Sequence, residues 1–572
     1  MTKTVSVLNA GLLLVTLGTL PPAGAAGQSA PRVWFVDSLI KIFPGDAAGS
    51  HRLTRPELVA ARGQHVSVQL AVRSTRAIEG VTAEAGPFKD PAGVELAGAS
   101  VRPVGFVVVG SITPNTPAEE LVGQAPGWFP DPLLDFPVNL EPRRTQPLWI
   151  GIAVPAGARP GEYRGSVVLR AGQQQLARRE IRVKILAATV PGNRTLNVTN
   201  WFGLGDAASQ QFYKVKQFSP GWWELMANLA AVMAEHRQNV IITPLMSLIE
   251  PRVDGGRLVY DFNNFDRWVE TFQHAGAIGY IEGSHLLDRA GSYDAHLTVS
   301  TFQIENGKAI TQTLLPDDPR VDTFVAGFLS MLNSHLGAKG WKSIYYQHVL
   351  DEAHGTEPPY YAHFAALVHR YLPGVPIMDA VDAARMPEEL QKNCDIWVPQ
   401  LGRFDEQMEM IQQRIASGHP VWFYTCLFPN GKYMNRLMDY PLLKTRLLQW
   451  LDFRYGFTGF LHWGWSYWTP EPMFDTQPVI DANTTLLPSG DAFIVYPDPA
   501  KKSVYSSLRL ETMLQGIEDY ELLAALKSRD PAAANRLAAE AVAGLTDYVR
   551  DPEKFRAIEG ELLEALAKPG EK

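Results

Sequence analysis

At Pro191-Gly192-Asn193 the chain changes its periodicity, and that change limits its possible folds more than any single motif does. From Pro31 to about Val190 the sequence is short β-runs broken by glycine and proline. Gln64 to Val72 alternates polar and apolar residues, as a half-buried strand does. Pro155 to Tyr163 is turn chemistry, after which Gly165–Arg170 and Gln174–Ile185 read as further strands. Strands punctuated in this way predict an antiparallel β-sandwich over 31–190. Beyond the boundary, apolar strands alternate with longer helical stretches, the pattern of βαβ units. The candidate strands are Asn197–Leu204, Asn239–Met246, Gly279–Leu286, Ser343–Leu350, Val375–Ala380, Asp395–Leu401, Pro420–Leu427 and Phe457–Trp465. Helical stretches between them include Trp222–Arg237, Phe265–Ala275, Arg320–Leu336, Tyr360–Tyr371 and Asp405–Ser417. That number of units predicts a (β/α)8 TIM-like barrel over 191–530, with a β-like insertion from Ser292 to Thr313. Ser503–Ser528 carries Leu510, Met513, Leu514, Ile517 and Leu522 at helical spacing and reads as the last barrel helix. Residues 531–572, rich in Ala, Leu and Glu, read as a helical extension packed on the barrel.

A chain of 572 residues is too long for one ordinary core, which agrees with a multidomain reading. The net charge of −8, with no basic stripe, gives no reason to expect a nucleic-acid partner. The N-terminus reads as a signal peptide over 1–25: Lys3, an apolar run from Val7 to Leu20, Pro21-Pro22, then Ala23-Gly24-Ala25. That run is too short for a membrane span, and no other segment suits one. The expected location is the periplasm or outside the cell, after removal of the leader. The two cysteines, Cys394 and Cys426, should sit at opposite ends of neighbouring strands, beyond disulfide reach. The sequence leaves the oligomeric state open.

In a barrel of this kind chemistry gathers at the C-terminal ends of the strands. The fourth candidate strand runs into Asp351-Glu352. Two adjacent carboxylates at such a place repel one another, and with partial burial one pKa should rise toward that of a general acid. Both can face a pocket only if the strand has ended or bulged by Asp351. A solvated acidic turn capping the next helix is the competing reading. An ordinary retaining glycosidase needs a second carboxylate about 5 Å away across the sugar. The seventh strand, Trp422 to Phe428, ends without one. Glu250, Asp288, Asp379, Asp382 and Asp405 follow other strands and stay open as alternatives. The gap at the seventh strand favours substrate assistance, in which a 2-acetamido oxygen attacks the anomeric carbon and an adjacent Asp-Glu pair serves it. The eighth strand carries His462, Trp463, Trp465, Tyr467 and Trp468, which either wall a sugar pocket or pack the barrel. Tyr424 and Trp397 are further candidates for sugar contact. There is no dinucleotide glycine pattern, phosphate loop, serine-nucleophile elbow or zinc-helix motif, so neither a cofactor nor a metal site is expected.

The run from Ser507 to Glu521, SLRLETMLQGIEDYE, closely resembles the C-terminal signature of glycoside hydrolase family 123-like proteins, also described as domain of unknown function 4091. So do Gly459 to Trp465 and the strand ending Asp351-Glu352, and the turn from Pro160 to Gly165 resembles that family's N-terminal β-sandwich. The resemblance implies a β-N-acetylgalactosaminidase-type hydrolase acting on a glycan or glycoconjugate, with Glu352 as acid/base and Asp351 orienting the acetamido group. The signature helix also has a structural reading, in which Arg509, Glu511 and Glu518 pair with the barrel. A glycosidase of other specificity with an unidentified nucleophile, and a non-catalytic glycan-binding protein, are the rival functions.

Overall fold

The computed structural model describes residues 30–54, 56–96, 98–468 and 487–568, with backbone alone at 475–476, 479–480 and 486. The expected signal peptide lies outside them. The N-terminal β-rich domain has two sheets. In one, β1 (Arg32–Asp37), β3 (His65–Arg73), β8 (Thr145–Ala153) and β5 (Ala99–Val109) pair in that order, with β6 (Gly127–Leu133) on β5. In the other the order is β2 (Glu57–Arg62), β10 (Gln174–Thr189), β9 (Gly161–Ala171), β4 (Ile78–Ala85) and β7 (Val138–Leu140). Their inner faces share one apolar core, an arrangement consistent with a β-sandwich. The expected antiparallel pattern is broken where β2 runs parallel to β10, and where residues 475–476 pair parallel with β5. The chain crosses at Gly63, φ +76°, from β2 in one sheet to β3 in the other, so β2 joins its sheet with the opposite sense.

Among the described residues the second half contains eight short parallel strands, and they fall on the eight predicted stretches. Three ladders hold them: β12 (Val240–Thr243), β13 (Tyr280–Gly283) and β17 (Tyr345–Gln347); β18 (Met378–Val381) and β19 (Ile396–Pro399); and β11 (Asn197–Asn200), β21 (Gly459–His462) and β20 (Phe423–Tyr424). Bridges Gln347–Ile377 and Gln400–Tyr424 connect the ladders, as does the Asn239 N–H donating to Val198 O at 3.2 Å. Val240, Tyr346, Met378, Ile396, Trp422 and Leu461 from these strands meet in a small core. The helices α1 (Pro220–Glu235), α2 (Asn263–His274), α3 (Pro319–Lys339), α4 (Pro358–Tyr371) and α5 (Phe404–Ala416) lie where the apolar spacing puts them. The β-like insertion is a short strand, β14 (Asp288–Arg289), followed by the hairpin β15 (Leu297–Glu305) and β16 (Lys308–Leu314).

Two helices are buried nearly all round. Helix α6 (Leu442–Tyr455), absent from the sequence reading, is buried from Leu442 through Phe453, with Lys444, Arg446, Gln449 and Asp452 inside. A helix with no solvent face has no apolar stripe to detect. Helix α7 (Leu508–Lys527) is buried nearly all round, and it begins later than expected because Ser503–Tyr505 is a strand. The Ser507 hydroxyl caps it, accepting the Leu510 N–H at 3.1 Å. The signature residues mostly pair away from the parallel strands. Arg509 meets Asp131 of β6 at 2.9 Å and Glu518 meets His65 of β3 at 2.6 Å. Only Glu511 turns to α1, where His236 lies at 3.3 Å. Helices α8 (Pro531–Ala541) and α9 (Pro552–Ala567) follow, and Phe555 and Glu559 of α9 pack on Trp450 and Arg446 of α6.

Candidate active site

Strand β17 ends at Gln347, four residues before Asp351, so the alternation that would send two neighbours to opposite faces has already stopped. The turn is tied down at both ends. Val349 N–H donates to both Asp379 oxygens at 3.1 Å, and Glu352 N–H donates to Ala380 O at 3.2 Å. Glu352 itself takes the left-handed conformation, φ +47°, which a side chain with a Cβ adopts only where its surroundings fix it. Arg289 of β14 is that fixture. Its Nη2 donates to the carbonyls of Asp351 (3.0 Å) and Glu352 (3.3 Å), and its fork grips Glu357 at 2.9 and 2.6 Å.

The carboxylates are partly buried and share one turn. Burial and the charge of Glu352 push Asp351 up to about 8, with Arg289 and His348 opposing. Burial also raises Glu352, against a hydrogen bond from Tyr424, and the nearby Asp382 adds to the rise. Adjacent acids of this kind titrate as a pair and hold one proton between them near neutral pH. The Tyr424 hydroxyl donates to Glu352 Oε1. Tyr293, from the insertion, is a second hydrogen-bonding neighbour of Glu352, and its ring stacks on His354 at 4.5 Å. A cavity of about 370 Å³ opens beside Asp351, lined by Trp201, Met246, His285, Leu286, Arg289 and Phe328 among others.

Beneath the turn lies a charged network that the sequence reading missed. His348 sets Nε2 2.7 Å from Glu282 Oε1 and Nδ1 3.0 Å from Asp379 Oδ1, with all three side chains fully buried. Glu282 also accepts from the Thr199 hydroxyl at 2.6 Å and the Trp201 indole at 2.7 Å. Asp379 accepts the Tyr361 hydroxyl at 2.8 Å. Burial pushes Asp379 up against these donors, and the two carboxylates carry His348 up to about 10. His285 stacks on His348 at 4.4 Å and is held well below the usual histidine range by burial and by the His348 charge. One ligand atom each of His285, His348 and Asp379 lies within 4.8 Å of the others, a grouping that could take a cation. Both His348 nitrogens already face carboxylates, while His285 Nε2 is buried 3.8 Å from Asp379 Oδ1 without a hydrogen-bond partner. The signal for the network was an acid or imidazole on three otherwise apolar strand ends, 66 and 31 residues from one another in sequence, with no local motif to join them.

The expected aromatic wall divides. Tyr424 touches Glu352. Trp463 is half-buried, packs with the same core as Tyr424 and Trp201, and donates its indole N–H to Asp491 at 3.2 Å. Tyr467 is exposed, lies 5.3 Å from Trp463, and feels the charge of Glu282. The other four have no face open to a sugar. Trp465 is 1% exposed and packs against Phe202. Trp468 packs on Phe212 at 5.1 Å and donates to Val495 O at 2.8 Å. Trp397 donates to Cys394 O and carries the Arg414 guanidinium on its ring at 4.5 Å. His462 is fully buried, accepting the Gly464 N–H at 3.0 Å. The strand gives way to a loop at Trp463, so simple alternation could not sort these residues. Cys394 and Cys426 are both free and buried.

Cleaving a glycosidic bond takes an acid poised to protonate a departing oxygen and a partner that stabilises charge at the anomeric carbon. The Asp351-Glu352 turn, beside an aromatic-edged cavity, is an arrangement with the acids such chemistry uses. Comparison with known proteins narrows the class. Residues 204–526 match the catalytic domain of glycoside hydrolase 123 and residues 46–171 its N-terminal domain. The chain belongs to glycoside hydrolase family 123, and its substrate is therefore a glycan. Its fold is shared with a family 123 glycoside hydrolase from Clostridium perfringens, solved to detail glycolipid glycan hydrolysis. The match has 17% identity and a TM-score of 0.73, over 94% of this chain and 97% of the other. A family 39 glycoside hydrolase from Bacteroides cellulosilyticus WH2 (10% identity, TM-score 0.34, 81% and 82% covered) overlaps too loosely to bear on function. The same holds for a β-D-glucuronidase from Dictyoglomus thermophilum (8%, 0.33, 85% and 68%). No curated protein matches the chain. Among the described residues, no helix is long and apolar enough to cross a membrane.

Proposed function

We propose that this enzyme removes terminal β-linked 2-acetamido sugars, N-acetylgalactosamine favoured, with retention and by substrate assistance. One observation carries the reading: the other carboxylates that could attack a sugar are engaged or turned away. Glu282 and Asp379 are saturated within the His348 network. Asp382 holds Arg403 at 2.7 Å, and Asp405 accepts the Tyr433 hydroxyl at 2.8 Å. Glu250 and Asp288 are exposed on strands outside the parallel set. What remains is one turn with two acids.

In this mechanism the proton that the resting pair shares passes to Glu352 when the substrate binds, and Asp351, then the anion, accepts the acetamido N–H and turns the amide oxygen toward the anomeric carbon. That oxygen forms the new C–O bond while the bond to the aglycone breaks. The leaving oxygen keeps the electron pair and takes the proton of Glu352. Glu352 then removes a proton from water, whose oxygen bonds to the anomeric carbon as the bond to the amide oxygen breaks, which opens the cyclic intermediate and restores the acetamide. Trp463 and Tyr467 offer ring faces to the sugar's apolar C–H surface. The eight strands read best as a closed (β/α)8 barrel over 191–530, in front of a helical extension and behind the β-domain of 31–190. The N-terminal pattern supports export, which makes extracellular or periplasmic glycoconjugates the natural substrates to try.

A panel of aryl glycosides tests the reading. Release from the N-acetyl-β-galactosaminide but not the β-galactoside supports it, as does inhibition by a stable thiazoline mimic of the intermediate. Asp351→Asn should bind the thiazoline much more weakly. Asp382, which faces Glu352 closely enough to raise it, is the alternative nucleophile. A covalent glycosyl-enzyme trapped there would replace this mechanism.

A further inference from the structure

We propose that Phe428 is the platform for the leaving group: its exposed ring, on the Glu352 side of the acid turn, covers the apolar face of a departing pyranose, so that the preferred substrates are those in which the terminal sugar caps a further sugar ring. The assignment rests on Glu352 being the acid, and it does not depend on which sugar occupies the cleaved position.

The acid fixes the side. A general acid must reach the oxygen that departs, so the leaving group lies where the acid points. The two carboxylates of the turn have different neighbours. Asp351 borders the cavity of about 370 Å³ with Trp201, Met246 and His285. Glu352 faces the other way, toward the segments at the ends of β18 and β20. It accepts the hydroxyl of Tyr424, the last residue of β20, and it feels the charge of Asp382, which follows β18. Tyr293, itself exposed, is its other hydrogen-bonding neighbour. A departing sugar therefore sits over the loops that follow β18, β19 and β20. Among the described residues of those loops, Phe428 is the one large apolar side chain left exposed, at 43%. Single exposed apolar residues are common on protein surfaces. What sets Phe428 apart is its place, four residues beyond the tyrosine that touches the acid.

The turn that carries it is tied down. Cys426 N–H donates to Phe428 O at 2.8 Å. Asn435, fully buried, donates its amide to Cys426 O at 2.8 Å and to Pro429 O at 3.0 Å. Gly431 N–H donates to Thr116 Oγ1 at 3.2 Å, and Lys444 Nζ donates to Gly431 O at 2.6 Å, which braces the turn against the β-domain and α6. A ring held out on a fixed turn loses little freedom when a ligand stacks on it. A pyranose presents C–H bonds on its faces and hydroxyls at its edge, which suits an aromatic face with polar groups nearby. Asp382 and Arg403, paired at 2.7 Å and both partly exposed, supply an acceptor and donors on the neighbouring loops.

The test varies the leaving group on one glycosyl. The β-fluoride of N-acetylgalactosamine has no ring beyond the cleaved bond, and the disaccharide in which the same sugar is β-linked to galactose has one. Phe428→Ala should lower kcat/KM for the disaccharide about tenfold, mostly through KM, and leave the fluoride within about twofold of wild type. Phe428→Trp, which keeps an aromatic face, should restore the disaccharide. An equal loss on both substrates is what a residue serving only the turn gives, and it overturns the proposal. So does an unchanged rate on the disaccharide. If the wild type cleaves the fluoride but not the disaccharide, the platform is overturned while the acetamido reading stands. If it cleaves the fluoride and disaccharide of another glycosyl instead, the acetamido reading falls, and the same comparison on that pair decides Phe428.

Discussion

In the N-terminal β-domain, β3 sends Val66, Val68, Leu70 and Val72 into the core, where they meet Leu148, Ile150 and Ile152 of β8 and Ile181, Val183 and Ile185 of β10. Along and just beyond β13, β17 and β18 the positions beneath the Asp351-Glu352 turn hold Glu282, His348 and Asp379, all fully buried. The first region is stabilised by removing apolar area from water, at roughly 25 cal/mol per Å². The second works against its own stability, since burying an ion costs on the order of several kcal/mol before its partners offset the loss. The contrast separates what holds the protein together from what prepares it to react. One region tolerates any side chain of the right size and polarity, and the other depends on particular atoms.

Substitutions that strike one region and spare the other sharpen this contrast. The largest effect should come from Glu352→Gln, with turnover of a substrate carrying a poor leaving group falling about 10²–10⁴-fold. An activated aryl glycoside should suffer less, and the unfolding midpoint in urea should not drop. A large loss of stability instead would mean that the acid pair is structural. Ile150→Ala should do the reverse, destabilising the fold by about 2–5 kcal/mol in urea titrations while leaving kcat per folded molecule unchanged. Tyr424→Phe should cost about tenfold at most. Because the phenol favours ionised Glu352, its removal raises that acid further, and the alkaline limb of the poor-leaving-group profile should move to higher pH. The smallest effect is expected from exhaustive chelation, which should leave activity intact. Loss of activity restored by a divalent cation would turn the His285-His348-Asp379 grouping into a metal site and break the comparison.

The same contrast explains which parts were legible in the sequence. The β-domain strands and the alternation of strands and helices after Asn193 are written in apolar periodicity, and the structure follows them closely. Helix α6 left no such trace because its polar residues are buried with its apolar ones. The Asp351-Glu352 turn could be found because it closely follows a strand that the apolar pattern predicts. Its support could not: Glu282 and Asp379 lie on separate strands and His348 just after a third, and Arg289 and Tyr293 come from a segment whose docking no local pattern encodes. The aromatic cluster misled for a related reason. Burial of Trp465 and Trp468 depends on Phe202, Phe212 and Tyr213, which are more than 250 residues away in the chain.

The contacts between the β-domain and helices α6, α7 and α9 bear on how such enzymes can be taken apart. Asp131 neutralises the buried Arg509, Asp37 grips Arg556 at 3.0 Å, and Glu120 holds Lys444 at 3.1 Å together with Arg550. Thr113 donates to Asp439 twice, at 2.6 and 2.7 Å, and Lys41 donates to the Met438 carbonyl. The β-domain is therefore a counterion shell for the catalytic half rather than a detachable accessory. Cut at Pro191, the C-terminal piece would expose an apolar interface studded with unpaired cations, and it should be recovered as aggregate unless the β-domain is supplied with it. For the same reason a hybrid between two family members should be soluble only when Asp37, Glu120 and Asp131 travel with the arginines and lysine they neutralise. Co-expressing matched and mismatched halves, and measuring the soluble fraction of each, would show how tightly the two halves are bound to evolve together.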